Sequence, residues 1–245
     1  MKYVLDVHTH TIASGHAYHT IKEMAQSASE KGLELLGITE HAMTMPGTCS
    51  SFYFSNLKML ERKMFGVEML FGVELNIQNL KGEIDMEMDL LRKMDIVIAS
   101  MHVPCMKSGT REENTKAYRK IMENPYVNII GHPDDGRYPV DFEELVLGAK
   151  EQHVLLEVNN NSLDPRCTRE KGEENVRTML AFCEKYQVPV VVNSDAHTDA
   201  LVGCHCYAEK IIEDMRFPEE LIVNRSTDAL KKFLKKSNDC FTLKF

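Results

Sequence analysis

The run Tyr3-Val4-Leu5-Asp6-Val7 ends on His8-Thr9-His10, and the same device returns near residue 190, where Val188-Pro189-Val190-Val191-Val192 leads to Asp195-Ala196-His197. Side chains alternate faces along a strand, so positions 8 and 10 point the same way, about 7 Å apart, and both reach one cation. A single pair of this kind specifies little. Between the two lie His41 after Leu35-Leu36-Gly37-Ile38, Glu74 after Met69-Leu70-Phe71-Gly72-Val73, His102 after Asp95-Ile96-Val97-Ile98-Ala99, and His132 after Val127-Asn128-Ile129-Ile130. Metal-binding side chains at the ends of successive strands describe a site at one mouth of a barrel, because groups at the C-terminal strand ends of such folds converge.

The rest of the pattern agrees. Continuous apolar runs alternate with helix-like spacing, the signature of a parallel sheet with helices outside it. Strands are expected near 3–7, 33–38, 67–73, 95–99, 127–131, 154–158 and 188–193. Both faces of each look apolar, as strands between a barrel interior and a helical shell require. Helices are expected at 20–31, near 52–64, 86–93, 113–123, 141–151, 173–186 and 207–215, with a last one near 227–236 begun by Ser226. Thr20, with Glu23 three residues on and Gly32 at the stop, marks the first helix at both ends. The turn-rich stretch Leu75 to Asp85 reads as a small ribbon.

A chain of 245 residues with 43% hydrophobic content supports one domain over residues 1–245. The formal charge of −8 argues against nonspecific binding to a nucleic-acid backbone. No apolar run approaches the roughly 20 residues of a membrane span and no leader pattern opens the chain, so a soluble, cytoplasmic protein is expected. Seven cysteines without a framework spacing suit free thiols in a reducing compartment. Cys204-His205-Cys206 is read as packing plus surface, since adjacent residues rarely converge on one metal.

The candidate ligands are His8, His10, His16, His41, Glu74, His102, His132, Asp195 and His197, seven imidazoles and two carboxylates. At three or four protein ligands per transition metal, nine suffice for two or three metals if a carboxylate bridges, and Glu74 is the natural bridge. His16 belongs to a loop. His19, His153 and His205 fit no strand end, and His153 falls at the opposite mouth.

Asp6-Val7-His8-Thr9-His10, Thr39-Glu40-His41, Gly72-Val73-Glu74, His102, Gly131-His132-Pro133 and Ser194-Asp195-Ala196-His197 resemble the successive motifs of the PHP (polymerase and histidinol phosphatase) family, from residue 3 to about 200. The length and Ser14-Gly15-His16-Ala17-Tyr18 are most similar to its short, stand-alone bacterial phosphatases of the YcdX type. The resemblance implies a distorted (β/α)7 barrel, TIM-like, with a trinuclear centre of zinc, or of manganese or iron. It also implies that His8, His10, Glu74 and Asp195 hold a first metal, Glu74, His102 and His132 a second, and His16, His41 and His197 a third. Glu40 departs from the Asp that many relatives carry before the histidine; either carboxylate orients a ligand from behind.

Such a centre hydrolyses phosphoesters without an activated serine or cysteine: hydroxide bridging two metals attacks phosphorus, and Asp195 doubles as proton acceptor. No Gly-rich phosphate loop and no Gly-x-Ser-x-Gly elbow is present. Lys107, Arg111, Arg137, Arg166 and Arg169 follow strands on the same mouth and are candidate phosphate binders. The leading expectation is a phosphatase acting on a small phosphorylated metabolite or nucleotide. The rivals are a histidinol-phosphatase, a nuclease or phosphodiesterase, an amidohydrolase, and a catalytically inert metal-binding module.

Overall fold

The computed structural model of the chain describes residues 2–234. From the N-terminus the elements are β1 (Leu5–Asp6), α1 (Ile21–Glu30), β2 (Leu35–His41), α2 (Ser51–Asn56), β3 (Lys63–Met64), β4 (Val67–Asn76), α3 (Met88–Leu91) and β5 (Val97–Ser100). They continue with α4 (Arg111–Met122), β6 (Ile129–Ile130), α5 (Phe142–Gln152), β7 (Leu155–Asn159), α6 (Gly172–Tyr186), β8 (Val190–Asn193), α7 (Cys206–Met215) and α8 (Thr227–Lys231). The parallel strands run β1-β2-β4-β5-β6-β7-β8, and the short β3 pairs antiparallel with β4 outside that path. The result is a nearly closed, TIM-like α/β barrel.

Each strand's inward row changes character along the barrel axis, which positions the site. Leu35, Leu70, Ile98, Ile129, Leu155 and Val191 belong to one apolar cluster. With a period of two, the same faces continue to His41 on β2, Glu74 on β4, Glu157 on β7 and Asp195 after β8. An apolar floor thus gives way to a polar upper layer. Between them the walls come close. A Cβ on Gly72 would lie 2.0 Å from the Ile96 carbonyl oxygen, so only glycine fits there, and one on Gly131 would press on the Ser100 hydroxyl at 2.2 Å. Leu230, Phe233 and Leu234 pack against the floor from the N-terminal end and close that mouth. The larger apolar cluster lies on the outer strand faces, under helices α1 and α4 to α7.

The seam between β8 and β1 is sewn by side chains. Thr9 and Ala196 form one isolated parallel bridge. Below it Asn224, fully buried, accepts the Val192 N–H at 2.7 Å and donates from Nδ2 to the carbonyls of Val192 and Leu5. Its own carbonyl takes the Val4 N–H at 2.8 Å. Asn193 Oδ1 accepts the Val7 N–H, and Asp6 accepts from Ser194 N and Oγ and from Gly203 N. These groups stand in for the ladder that two short strands cannot complete.

Most expected elements are present. Thr20 and Glu23 form a capping box on α1, and Gly32 follows with φ 74°. Ile77 and Ile84 pair as the expected ribbon. The helix expected at 52–64 is a correction: α2 stops at Asn56, and β3 turns back onto β4 through Phe65 (φ 50°) and Gly66 (φ 87°). Two consecutive positive φ values are what a two-residue hairpin requires, and the Gly supplies one at no steric cost. The helix expected at 86–93 shrinks to four residues. α4 begins earlier than expected, at Arg111, because Thr110 and Glu113 form a second capping box. The tail of the last helix, 235–236, lies outside the described residues. Among those described, no helix is long and apolar enough to cross a membrane.

Asn224→Ala strands the Val192 N–H and two buried carbonyls, at about 1–3 kcal/mol for a group left without a partner. A loss of roughly 3 kcal/mol in unfolding free energy is expected, read from the urea midpoint at unchanged slope. An unchanged midpoint would show that the seam does not depend on this side chain.

Candidate metal centre

The nine candidate ligands meet at the C-terminal mouth. His41 is the last residue of β2, Glu74 lies in β4, and the others follow β1, β5, β6 and β8 in the connecting segments. Glu74 is fully buried at the middle of the group. Its Oε1 lies 2.9 Å from His132 Nε2, 3.2 Å from His102 Nε2 and 3.3 Å from His8 Nε2. Its Oε2 lies 2.7 Å from His41 Nδ1 and 3.5 Å from His10 Nε2. Asp195 Oδ1 is 3.4 Å from His10 Nε2 and 3.7 Å from His8 Nε2. His16 completes the group from its loop, with ring centroids 4.9 Å from those of His41 and His197.

What lies behind four of the rings sets which nitrogen each turns to the cluster. Glu157 Oε1 accepts from His8 Nδ1 at 2.7 Å, Asn76 Oδ1 accepts from His102 Nδ1 at 2.8 Å, and the Asp195 carbonyl accepts from His197 Nδ1 at 3.0 Å. Ser14 Oγ donates to Glu40 Oε2 at 2.6 Å, so towards His10 Nδ1, 3.1 Å away, it is an acceptor. Glu40 also takes the Thr11 hydroxyl, the Thr11 N–H and Tyr53 OH, and so holds the Thr11–Ser14 segment behind His10. With the proton on Nδ1, the Nε2 atoms of His10 and His102 present lone pairs to carboxylate oxygens, and His8 Nε2 does so once it gives up its second proton. His8 Nε2, His10 Nε2, His41 Nδ1, His132 Nδ1 and Glu74 Oε2 are buried without a hydrogen-bond partner. Acceptors facing acceptors in a dry interior are stable only with positive charge between them. The donor set therefore fits transition metals. Among the described residues three overlapping groups have all their ligand atoms within 4.8 Å of one another: His8, His10 and Glu74; His41, Glu74 and His102; His10, His41 and His197.

The ionisation of the bare site follows the same logic. Burial disfavours a charged His8, but Glu157, then Glu74 and Asp195, outweigh it and hold this ring well above the usual imidazole range. His10 goes the opposite way, well below that range, through burial and the neighbouring His41 and His197. Burial opposes charge on Glu74 too, yet His102, His8 and His41 hold its carboxyl well below the usual carboxylate range. His132 and Asp195 adopt positive φ, 28° and 54°, a conformation costing non-glycine residues about 1–3 kcal/mol. Two candidate ligands are thus held in strained backbone by their surroundings.

The structure separates the five basic residues. A cavity of about 390 Å³ above the cluster is lined by Arg137 and Arg169 among others, with Val103, Pro104 and Met45 as an apolar wall. Arg169 donates to Asp195 Oδ2 at 3.0 Å and to Asn159 Oδ1 and Ser162 Oγ. Arg137 is held by both oxygens of the buried Asp135. Arg111 pairs with Asp141 and Arg166 with Asp164, and neither they nor Lys107 lines the cavity. Of the unassigned histidines, His19 pairs with Asp199, and His153 stacks on Phe233 at the closed mouth.

Sequence reasoning missed Glu157. This carboxylate receives His8 Nδ1, the His132 N–H, Asn193 Nδ2 and Asn159 Nδ2, four donors on two oxygens. The signal was an acid inside the run Val154-Leu155-Leu156-Glu157-Val158, where a charge persists only if it is paired.

Fold and site together define a metal-dependent hydrolase on a parallel barrel. A family model described as the PHP domain matches residues 6–164. The chain is 46% identical to a probable phosphatase of Clostridium novyi, over 96% of each protein, and 44% identical to one of Caldicellulosiruptor bescii, over 94% of this chain and 95% of that one. The chain belongs to the PHP domain family, and among its members it is a metal-dependent phosphatase. Two solved structures share the fold. One is histidinol phosphate phosphatase from Lactococcus lactis complexed with zinc, L-histidinol and phosphate (TM-score 0.64, 21% identity, 87% of this chain and 94% of that one). The other is an archaeal ribonuclease P with mature tRNA (TM-score 0.57, 16% identity, 94% and 89%).

Glu157→Gln replaces one of the accepting oxygens by a donor facing donors. Metal affinity is expected to fall 10–100-fold, as for other groups that orient ligand histidines, measured by competition with a chromogenic chelator. Unchanged affinity with retained folding would remove Glu157 from the support of His8.

Proposed function

We propose that this chain hydrolyses small phosphomonoesters with three divalent transition metals as cofactors. The observation that carries the reading is the ring of five imidazole nitrogens within 3.5 Å of the two oxygens of the buried Glu74. His8, His10, Glu74 and Asp195 would hold one metal, Glu74, His102 and His132 another, and His16, His41 and His197 the third. Zinc suits the nitrogen-rich set best, with manganese and iron as alternatives. When bound, the metals neutralise charge on phosphoryl oxygens and acidify the water that attacks phosphorus.

The protein's own groups supply position and proton handling. Arg169 and His8 hold the Asp195 carboxyl well below its usual range although burial opposes its charge, so Asp195 stays ionised and Oδ1, turned to the cluster, is a proton acceptor. Arg137, fixed by Asp135, offers its remaining N–H groups to substrate in the cavity. The cavity's size and its apolar wall favour a compact metabolite or mononucleotide over a polymer, and a dianionic monoester over a diester. Histidinol phosphate is one such ester, and the Lactococcus fold neighbour's complex with L-histidinol and phosphate makes it a first compound to try.

Elemental analysis after reconstitution is expected to give about three metals per chain, with chelation abolishing hydrolysis. One metal or fewer would overturn the trinuclear reading. p-Nitrophenyl phosphate is expected to be cleaved faster than bis-p-nitrophenyl phosphate, and a diesterase with negligible monoesterase activity would move the assignment to a nuclease.

Glu74→Gln separates a metal bridge from a base. As a bridge, its loss weakens two sites together; as a base alone, it leaves metal content intact while turnover falls roughly 10²–10⁴-fold. Metal content and turnover on one preparation decide between them. Because metal must displace a proton from His8, whose pKa is raised, affinity is expected to rise with pH towards neutrality and above, measured by the same chelator competition.

A further inference from the structure

The segment after His197 carries a feature that the hydrolytic site does not use. His205 is turned into the protein, 4% exposed, its ring 5.3 Å from that of Tyr3 in an edge contact. With the middle residue of Cys204-His205-Cys206 inward, both neighbours turn outward together, and their Sγ atoms stand 3.7 Å apart. Cys204 is half-buried and Cys206, the first residue of α7, is exposed. Among the described residues no other two thiols lie within hydrogen-bonding distance. The turn that carries Cys204 is fixed by the Lys31 ammonium, which donates to the carbonyls of Ala200 and Val202 at 2.6 and 2.7 Å.

We propose that Cys204 and Cys206 form a reversible dithiol–disulfide pair that exchanges with low-molecular-weight disulfides. A bonded S–S distance is about 2.05 Å, so the sulfurs must close by about 1.7 Å, within reach of side-chain rotation beside Gly203 (φ 65°). The exposed Cys206 thiolate attacks a small disulfide RSSR and forms Cys206–S–SR, releasing one RS⁻. The Cys204 thiolate then attacks Cys206 Sγ, forms the protein disulfide and releases the second RS⁻. In sum, two protein thiols are oxidised, one RSSR is reduced to two RSH, and the thiol protons end on the released thiols. Cys206 is the entry thiol because it is exposed; Cys204, half-buried 3.7 Å away, resolves. The pair sits on the chain that also presents Asp195 and His197, and the Gly203 N–H is anchored on Asp6, which also binds Ser194.

The test treats the folded full-length chain with glutathione disulfide and maps its peptides. Tryptic peptide 186–210 contains Cys204 and Cys206 and no other cysteine. It is expected to lose two hydrogens in mass, to resist alkylation, and to recover both thiols in dithiothreitol. In Cys204→Ser the resolving thiol is absent, and glutathione is expected to stay on Cys206; in Cys206→Ser little glutathione is taken up. A native chain in which both thiols remain free, or in which a stable glutathione adduct accumulates on Cys206 beside a free Cys204, would overturn the proposal. So would disulfide-linked dimers through either residue without the intrachain bond.

Discussion

Glu74 is ringed by imidazole nitrogens, and the upper half of the barrel is organised around that crowding of metal-binding atoms on one buried carboxylate. Five ring nitrogens stand within 3.5 Å of its two oxygens, in a layer where Glu74 itself has no exposure. In water such an arrangement would relax. Here three of the five rings are held from behind, His8 by Glu157, His10 by Ser14 and His102 by Asn76, each partner accepting from Nδ1 and turning Nε2 to the carboxylate. The positive charge that suits this crowd of donor atoms is also the charge that a phosphate ester requires, so one electrostatic demand serves both metal binding and catalysis.

Holding that arrangement takes work elsewhere in the fold. Glu157 couples β7 to the residues after β1 and β6 through His8 and the His132 N–H, and reaches β8 through Asn193. Arg169 brings the loop after β7 down onto Asp195. The seam between β1 and β8 lies directly beneath, where Asp6, Asn193 and Asn224 replace missing ladder bonds with side-chain ones. A fixed side-chain seam keeps His8 and His10 in place against Asp195 and His197, although β1 itself is only two residues long.

Much of this was legible beforehand for identifiable reasons. Strand-end histidines declare themselves because a barrel sends every such residue to one mouth, so a linear pattern carries a three-dimensional meaning. Capping residues such as Thr20 and Ser226 act within a single turn and are visible locally. The misreading at 52–64 has a local cause too: Phe65 and Gly66 form a hairpin whose first residue is not a usual turn former, so the apolar spacing before it passed for a helix.

The sequence by itself determined the β/α alternation, the inventory of candidate ligands and their common mouth, because periodicity and position at strand ends are properties of the chain. Only the tertiary structure decided which nitrogen of His8, His10 and His102 is turned to the cluster, since Glu157, Ser14 and Asn76 act on them across 4 to 149 residues of chain, Ser14 being fixed in turn by Glu40. It likewise decided which cations face the cavity. Arg111, Arg137, Arg166 and Arg169 look alike in the sequence, and what distinguishes them is the carboxylate each one meets after folding: Asp141 and Asp164 hold two of them away from the cavity, while Asp135 and Asp195 hold the other two at its wall.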